Sequence, residues 1–508
     1  MNKILSFGLA LCLPLLVSAT ADSLFVARLA ALPYVDSVAV LEDTVFPGGK
    51  YLLYVEQPVD WDCPDGDSFH QRVFLGHVSP DSLTVVVTEG YDASYASRLR
   101  YRDELSRLLN ANNVVIEHRY FNTSTPEGCN WDYLTTRNAA ADHHRVVSSL
   151  KQLYGRKWIA TGISKGGQTC NMYRMYYPGD VDVTVPYVAP LCRSLEDGRH
   201  EPFIRYYCGT PAERKKIEDF QTEFLRRRER LRPAFDSLCV ADGLQFWLGQ
   251  DAIYDYCALE FSFAFWQWGT PTDGIPGKNA PDSTVFKYMM DVAGPDYLVK
   301  NSVHLSFHVQ AAKELGYYGY DVQPFRKYLS IHSSKEYLPQ IFLPHVQPDG
   351  SLTDGSSTLG VPCLAEPSEA ALPDSVCEPS VAGGCFRFDS TMYLKMTDFL
   401  GTTDARMLFI YGQYDPWSAV AVEDYWSASV SGKGAKVVAR TNADALKGIG
   451  TVRGLSAPER NADGTLRLPD DNILIYIQPR GSHRSRIGTF PEDTREEIMA
   501  VLHRWLFE

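Results

Sequence analysis

Several familiar chemistries are missing from this sequence of 508 residues. No two cysteines stand in a C-x-x-C arrangement and no tight Cys/His cluster occurs, which argues against a structural zinc site. His304 and His308 are four apart, but the glutamate of an H-E-x-x-H metal motif is absent. They read as helix residues, and no cofactor or metal is expected. No Gly-Lys-Ser/Thr loop is available to cradle phosphates. Positive charge is the minority sign, with 49 Lys and Arg against 62 Asp and Glu and a net charge of −13. Nucleic acid is therefore an unsuitable partner, since phosphate binding calls for a basic patch. Long apolar runs are missing too. The longest, Ile4 to Val17, is too short to span a bilayer comfortably, so no stable membrane insertion is expected.

That apolar run has another meaning. Lys3 precedes it, and Ala19-Thr20-Ala21 follows as a small-x-small cleavage pattern before Asp22. Residues 1–21 therefore read as a signal peptide, giving a secreted or periplasmic chain. Leu11 before Cys12 is larger than a lipoprotein cleavage site tolerates. Of the 11 cysteines Cys12 leaves with the leader, and an even number in an oxidising compartment suits disulfides. Cys239 with Cys257, and two of Cys363, Cys377 and Cys385, are near enough in sequence to form local staples. Asn122-Thr123-Ser124 matches a glycosylation sequon.

With 45% aliphatic and aromatic residues and 22% charged, the chain has the balance of a packed globular protein. Strand-like runs at Lys50–Val55, Gln71–His77, Leu83–Val87, Asn113–Ile116 and Trp158–Thr161 alternate with helical stretches. The helices fall at Ala96–Leu109, Asn138–Leu153 and from Lys165 onward. Such alternation predicts an α/β fold, a mostly parallel sheet with helices on both faces, its opening strands forming an antiparallel edge. From about 193 to 395 the texture becomes helical and aromatic, as in Glu260 to Trp268. Strand-like runs then return at Arg406–Tyr411 and Asn472–Tyr476, with a final amphipathic helix from Pro491 to Leu506. The organisation expected is one α/β-hydrolase domain, 22–192 and 396–508, interrupted by a helical cap at 193–395.

Gly162-Ile163-Ser164-Lys165-Gly166 occupies the junction between the strand at Trp158 and the helix beginning at Lys165. A serine in that turn is a nucleophile exposed above a helix N-terminus, and the flanking glycines remove side chains that would clash. A hydroxyl nucleophile requires a histidine to take its proton and an acid to orient that histidine. In this fold the order is Ser, then acid, then His, each after a strand. Asp415 follows the strand Met407–Tyr411, and His483 follows Ile473–Tyr476. The remaining histidine after Asp415, His503, lies inside the last helix. The amide of Lys165 is one expected oxyanion donor, and the backbone near Tyr120, in the loop after Val114–Glu117, is the other. Glu117 and Arg119 are expected to buttress that loop.

Glu117 to Phe121, Trp131-Asp132-Tyr133-Leu134, Gly162 to Gly167, Phe263 to Gly269 and Gly412 to Trp417 together resemble the secreted prolyl tri- and tetrapeptidyl aminopeptidases. These form family thirty-seven of the serine peptidases, related to the family of lysosomal prolyl carboxypeptidase and dipeptidyl peptidase. Lys165 is the more specific element, since the related family usually carries tyrosine there. The resemblance implies an exopeptidase that releases short peptides from a free N-terminus and prefers proline at the cleavage point. Glu260 is the expected partner of the substrate ammonium, and Trp266 and Trp417 are expected to line a proline-sized pocket. Two alternatives remain open: an esterase or lipase on the same fold, and an inactive hydrolase fold that binds peptides. His118-Arg119-Tyr120, in place of the His-Gly that many esterases carry, favours the peptidase.

Overall fold

The computed structural model describes residues 23–300, 302–343, 388–422, 438–440 and 455–508. The leader at 1–21 and Cys363, Cys377 and Cys385 lie outside the described residues.

An eleven-stranded sheet forms the frame. Its strands are β1 (Val35–Leu41), β2 (Lys50–Pro58), β3 (Ser68–Gly76), β4 (Thr84–Thr88), β5 (Asn112–Ile116), β6 (Trp158–Ile163) and β7 (Val183–Tyr187). Then come β8 (Arg406–Gly412), β9 (Val438–Arg440), β10 (Leu455–Ser456) and β11 (Ile473–Gln478). Their spatial order is β1-β2-β3-β5-β4-β6-β7-β8-β11-β9-β10. The pairs β1–β2, β2–β3 and β3–β5 are antiparallel, and every later pair is parallel.

Both faces of the central strands are covered, as a parallel sheet requires. Side chains alternate across β4: Val85 and Val87 pack toward the C-terminal helix Glu492–Phe507 with Ile498 and Leu502, while Val86 packs with Val147 and Tyr173. The predicted helix over 96–109 is instead a short turn at Ser94–Ser97 and a new helix, α1, Glu104–Leu108. Asp103 caps that second start, its carboxylate accepting from the Leu105 amide at 2.8 Å. Lys50 holds the intervening chain by donating to the Arg98 carbonyl at 2.8 Å.

On the first side of the nucleophile turn lie α2 (Thr136–Leu150) and β6; α3 (Lys165–Tyr176) follows it. Between β7 and β8 the chain is mostly helical, including α4 (His200–Tyr206), α5 (Pro211–Arg226), α6 (Arg228–Ala241) and α7 (Gln250–Trp268). The last of these is buried on nearly all sides from Ile253 to Trp266, so it is the core of the cap rather than a surface helix. It ends at Gly269, whose φ of 68° is the left-handed cap conformation. Cap residues such as Phe261 and Ile341 share one apolar cluster with Phe409 and Ile475 of the sheet.

The expected Cys239–Cys257 staple is not formed. Cys239 and Cys257 are buried free thiols, and no described cysteine is disulfide-bonded. Burial raises both thiols above their ordinary range, so they stay protonated and behave as small apolar side chains.

Candidate active site

Ser164 stands between β6 and α3 with φ 58° and ψ −123°, a conformation a non-glycine residue holds only under constraint. Its amide donates to the Tyr187 carbonyl at 3.0 Å, tying the turn to the neighbouring strand. A side chain at Gly162 would bring its Cβ within 2.2 Å of the Gly166 carbonyl oxygen, so this turn closes only over glycine. The Lys165 amide, first in its helix, has no intrahelical acceptor, the condition an oxyanion donor requires.

His483 and Asp415 come from the loops after β11 and β8, which are adjacent in the sheet. The His483 Nδ1 lies 2.7 Å from Asp415 Oδ2, with both side chains buried. Asp415 is held in turn by the Trp417 amide, which donates to Oδ1 at 3.2 Å. Ser164 and His483 line one cavity of about 860 Å³ between the sheet edge and the cap. These three residues have the chemistry of a nucleophile, a base and an orienting acid. His503 is exposed on the last helix, away from them.

Tyr120 does not serve the expected role. Its amide donates to the Ser124 carbonyl at 2.8 Å, its own carbonyl accepts from Ser306, and its hydroxyl donates to the Asn130 carbonyl. The reason lies in the strand order: β4, not β5, is the neighbour of β6. The loop that borders Ser164 is therefore Glu89-Gly90-Tyr91. Glu117 and Arg119 do buttress. Arg119 is fully buried and donates to both Asp142 oxygens (2.7 and 2.8 Å) and to the carbonyls of Pro58, Val59 and Tyr133. Glu117 accepts from Arg72, Ser124 and the Ala93 amide.

Glu260 and Trp417 line the same cavity as Ser164. Glu260 Oε2 accepts from the hydroxyls of Tyr318 (2.9 Å) and Tyr320 (2.6 Å). Burial pushes its carboxyl up to about 7 against the opposing effect of those two hydrogen bonds. Trp266 is a correction. It lines a separate small cavity with Ile217 and Phe325 and packs edge-on against Tyr414 at 5.5 Å. It points away because Glu260 and Ala264 form the face of α7 turned to the active-site cavity, and Trp266 is not on their helical row. His304 and His308 also separate: His304 lines the active-site cavity, while His308 stacks on Phe342 at 3.8 Å within the cap.

Residues 25–339 match the family described as PS-10 peptidase S37. The chain belongs to that family. A prolyl tri/tetrapeptidyl aminopeptidase of Streptomyces mobaraensis is 28% identical over 386 residues, covering 74% of this chain and 72% of the relative. Among solved structures, Candida Antarctica lipase A is 11% identical over 34% of this chain and 46% of its own, with a TM-score of 0.23. Porphyromonas gingivalis dipeptidyl peptidase 4 is 12% identical over 28% of this chain and 22% of its own, with a TM-score of 0.22.

As a family S37 serine peptidase, the protein has site residues that its motifs did not announce. Tyr91, Trp268, Tyr297 and Tyr318 all line the cavity. Trp268 stands edge-on to His483 at 6.2 Å, and Tyr297 bonds the hydroxyl of Tyr317. A local signal existed for Trp268, two residues from Trp266 in the same aromatic run. None existed for Tyr91, whose relevance follows only from the order of strands.

Proposed function

We propose that this peptidase is a secreted exopeptidase that removes short, proline-ending peptides from free N-termini, through an acyl-enzyme on Ser164. The observation that carries the reading is Glu260: a buried carboxylate in the cap, ringed by tyrosine hydroxyls, in the same cavity as Ser164 and His483. An ammonium entering that end would gain a charged partner and the faces of several aromatic rings. Neutral or acetylated ends would gain neither. Trp417 and Tyr318, 5.4 Å apart between ring centroids, offer apolar faces suited to a pyrrolidine ring. A cap over residues 193–395 would admit chain ends and exclude folded proteins. The name of the Streptomyces mobaraensis relative supports the same substrate class.

In the mechanism, His483 takes the Ser164 proton as the hydroxyl attacks the scissile carbonyl, and Asp415 stabilises the imidazolium. The protonated histidine then gives its proton to the departing amine, and water releases the acyl peptide.

The test uses mature protein and Xaa-Xaa-Pro anilides with free or acetylated N-termini, beside short-chain esters. Free peptides alone should be cleaved, and Ser164→Ala should abolish turnover. Equal cleavage of acetylated peptides overturns the aminopeptidase reading, and turnover of esters alone makes the protein an esterase. N-terminal sequencing of the exported protein should begin at Asp22; retention of the leader overturns secretion through this signal.

A further inference from the structure

The loop leaving β4 borders the nucleophile turn, since β4 pairs directly with β6. In this fold such a loop supplies the second oxyanion donor, ordinarily a backbone amide. Here its backbone is already engaged. The Gly90 amide donates to Glu89 Oε2 at 3.0 Å, and the Tyr91 amide lies near enough to the same carboxylate to lower its pKa. The Gly90 carbonyl accepts from Lys165 Nζ at 2.6 Å, and the Tyr91 carbonyl accepts from the His118 amide at 3.2 Å. The phenol of Tyr91 is left. It lines the same cavity as Ser164.

The ring has little freedom to leave. It meets Phe121, His304 and Phe307 edge-on at 5.7, 5.5 and 5.5 Å. The Lys165 ammonium sits 5.6 Å from its centroid. Gly90 lies so close to α3 that an added Cβ would come within 2.6 Å of the Gly166 nitrogen. The hydroxyl is thus held at the mouth of the nucleophile turn by side-chain packing on one side and backbone contact on the other.

We infer that Tyr91 is a catalytic residue whose hydroxyl, together with the Lys165 amide, donates to the oxyanion formed on the scissile carbonyl. This rests on Ser164 being the nucleophile. As the Ser164 oxygen–carbon bond forms, the carbonyl π pair moves onto oxygen and the serine proton passes to His483. Tyr91 donates to the new oxyanion and keeps its proton. When the tetrahedral species collapses, the pair returns to carbon–oxygen, the carbon–nitrogen bond breaks, and His483 protonates the leaving amine. Burial raises the Tyr91 phenol above its ordinary range, so it remains a donor at every working pH. The Lys165 side chain is a positioning residue, holding Gly90 and the rim of the Tyr91 ring.

Tyr91→Phe removes one oxygen and keeps the packed ring. For a free-N-terminus Xaa-Xaa-Pro anilide, kcat should fall about 10²-fold or more, the loss seen for a single oxyanion donor, with KM changed little. A peptide aldehyde of the same sequence, which forms a hemiacetal oxyanion on Ser164, should lose affinity by a comparable factor. A product-like peptide acid should bind as before. A kcat within threefold of the native enzyme, or an unchanged aldehyde affinity, overturns the assignment while leaving the peptidase reading intact. Turnover that survives Ser164→Ala overturns both.

Discussion

The backbone amide of His483 donates to the carbonyl of Gln267 at 2.9 Å, so the loop bearing His483 is fastened to the last turn of α7. What holds this wall of the cavity lined by Ser164 also holds His483. Trp268, the next residue, leans on the His483 ring from the same helix.

The His483 ring is also held by Asp415, whose Oδ2 lies 2.7 Å from Nδ1. Asp415→Asn should leave the fold intact but lower kcat by about 10⁴-fold, because the amide favours the wrong histidine tautomer. Steady-state kinetics with KM near its native value checks this; a kcat within tenfold of native would remove Asp415 from the triad.

Glu260 supplies a pH dependence. Its carboxyl is raised to about 7, so it is largely neutral below that pH and charged above it. The groups around it, Tyr297, Tyr317, Tyr318, Tyr320 and Tyr337, are phenols that burial keeps neutral. KM for free-N-terminus peptides should thus rise as pH falls below about 7, and Glu260→Gln should raise KM and flatten that profile. Stability moves the other way. A raised carboxyl binds its proton more tightly in the folded state, so stability is fully present below the ordinary glutamate value and declines as pH rises toward 7. Denaturant melts across that range should show a shallower decline in Glu260→Gln than in the native protein; the raised carboxyls of Glu196 and Asp103 contribute to the decline in both.

The two tryptophans should separate. Trp266→Ala leaves a void in the cap away from the nucleophile and should cost about 3–5 kcal/mol of stability with little change in KM. Trp417→Ala opens the cavity wall itself and should raise KM for proline-containing peptides. Thermal melts beside kinetics distinguish them; a large KM change from Trp266→Ala would return that residue to the substrate pocket.

Arg119 and Asp142 form a pair with no exposed side-chain surface. Asp142→Ala leaves the guanidinium buried beside three carbonyls without its counter-charge and should destabilise the fold by about 3–5 kcal/mol. Urea unfolding measures it, and a loss below about 1 kcal/mol would show that the carbonyls alone suffice.

The turn at Ser164, the alternation of strands and helices, and the loops after β8 and β11 that bring Asp415 and His483 together were all readable from local pattern. Each depends on neighbours within a few residues: glycines that permit a closed turn at Gly162 to Gly166, apolar runs that end at Asp415 or His483. Which loop borders Ser164 was not readable, because β5 follows β4 in sequence while β4 lies beside β6 in space. Tyr120 therefore looked eligible and Tyr91 did not. Nor could the sequence say which aromatics of α7 face the cavity. That helix is apolar on all sides, so its periodicity carries no direction, and only packing against the sheet turns Glu260 inward and Trp266 away. Local pattern in the sequence singled out Ser164, Asp415 and His483; the order of strands and the rotation of one buried helix decided what surrounds them.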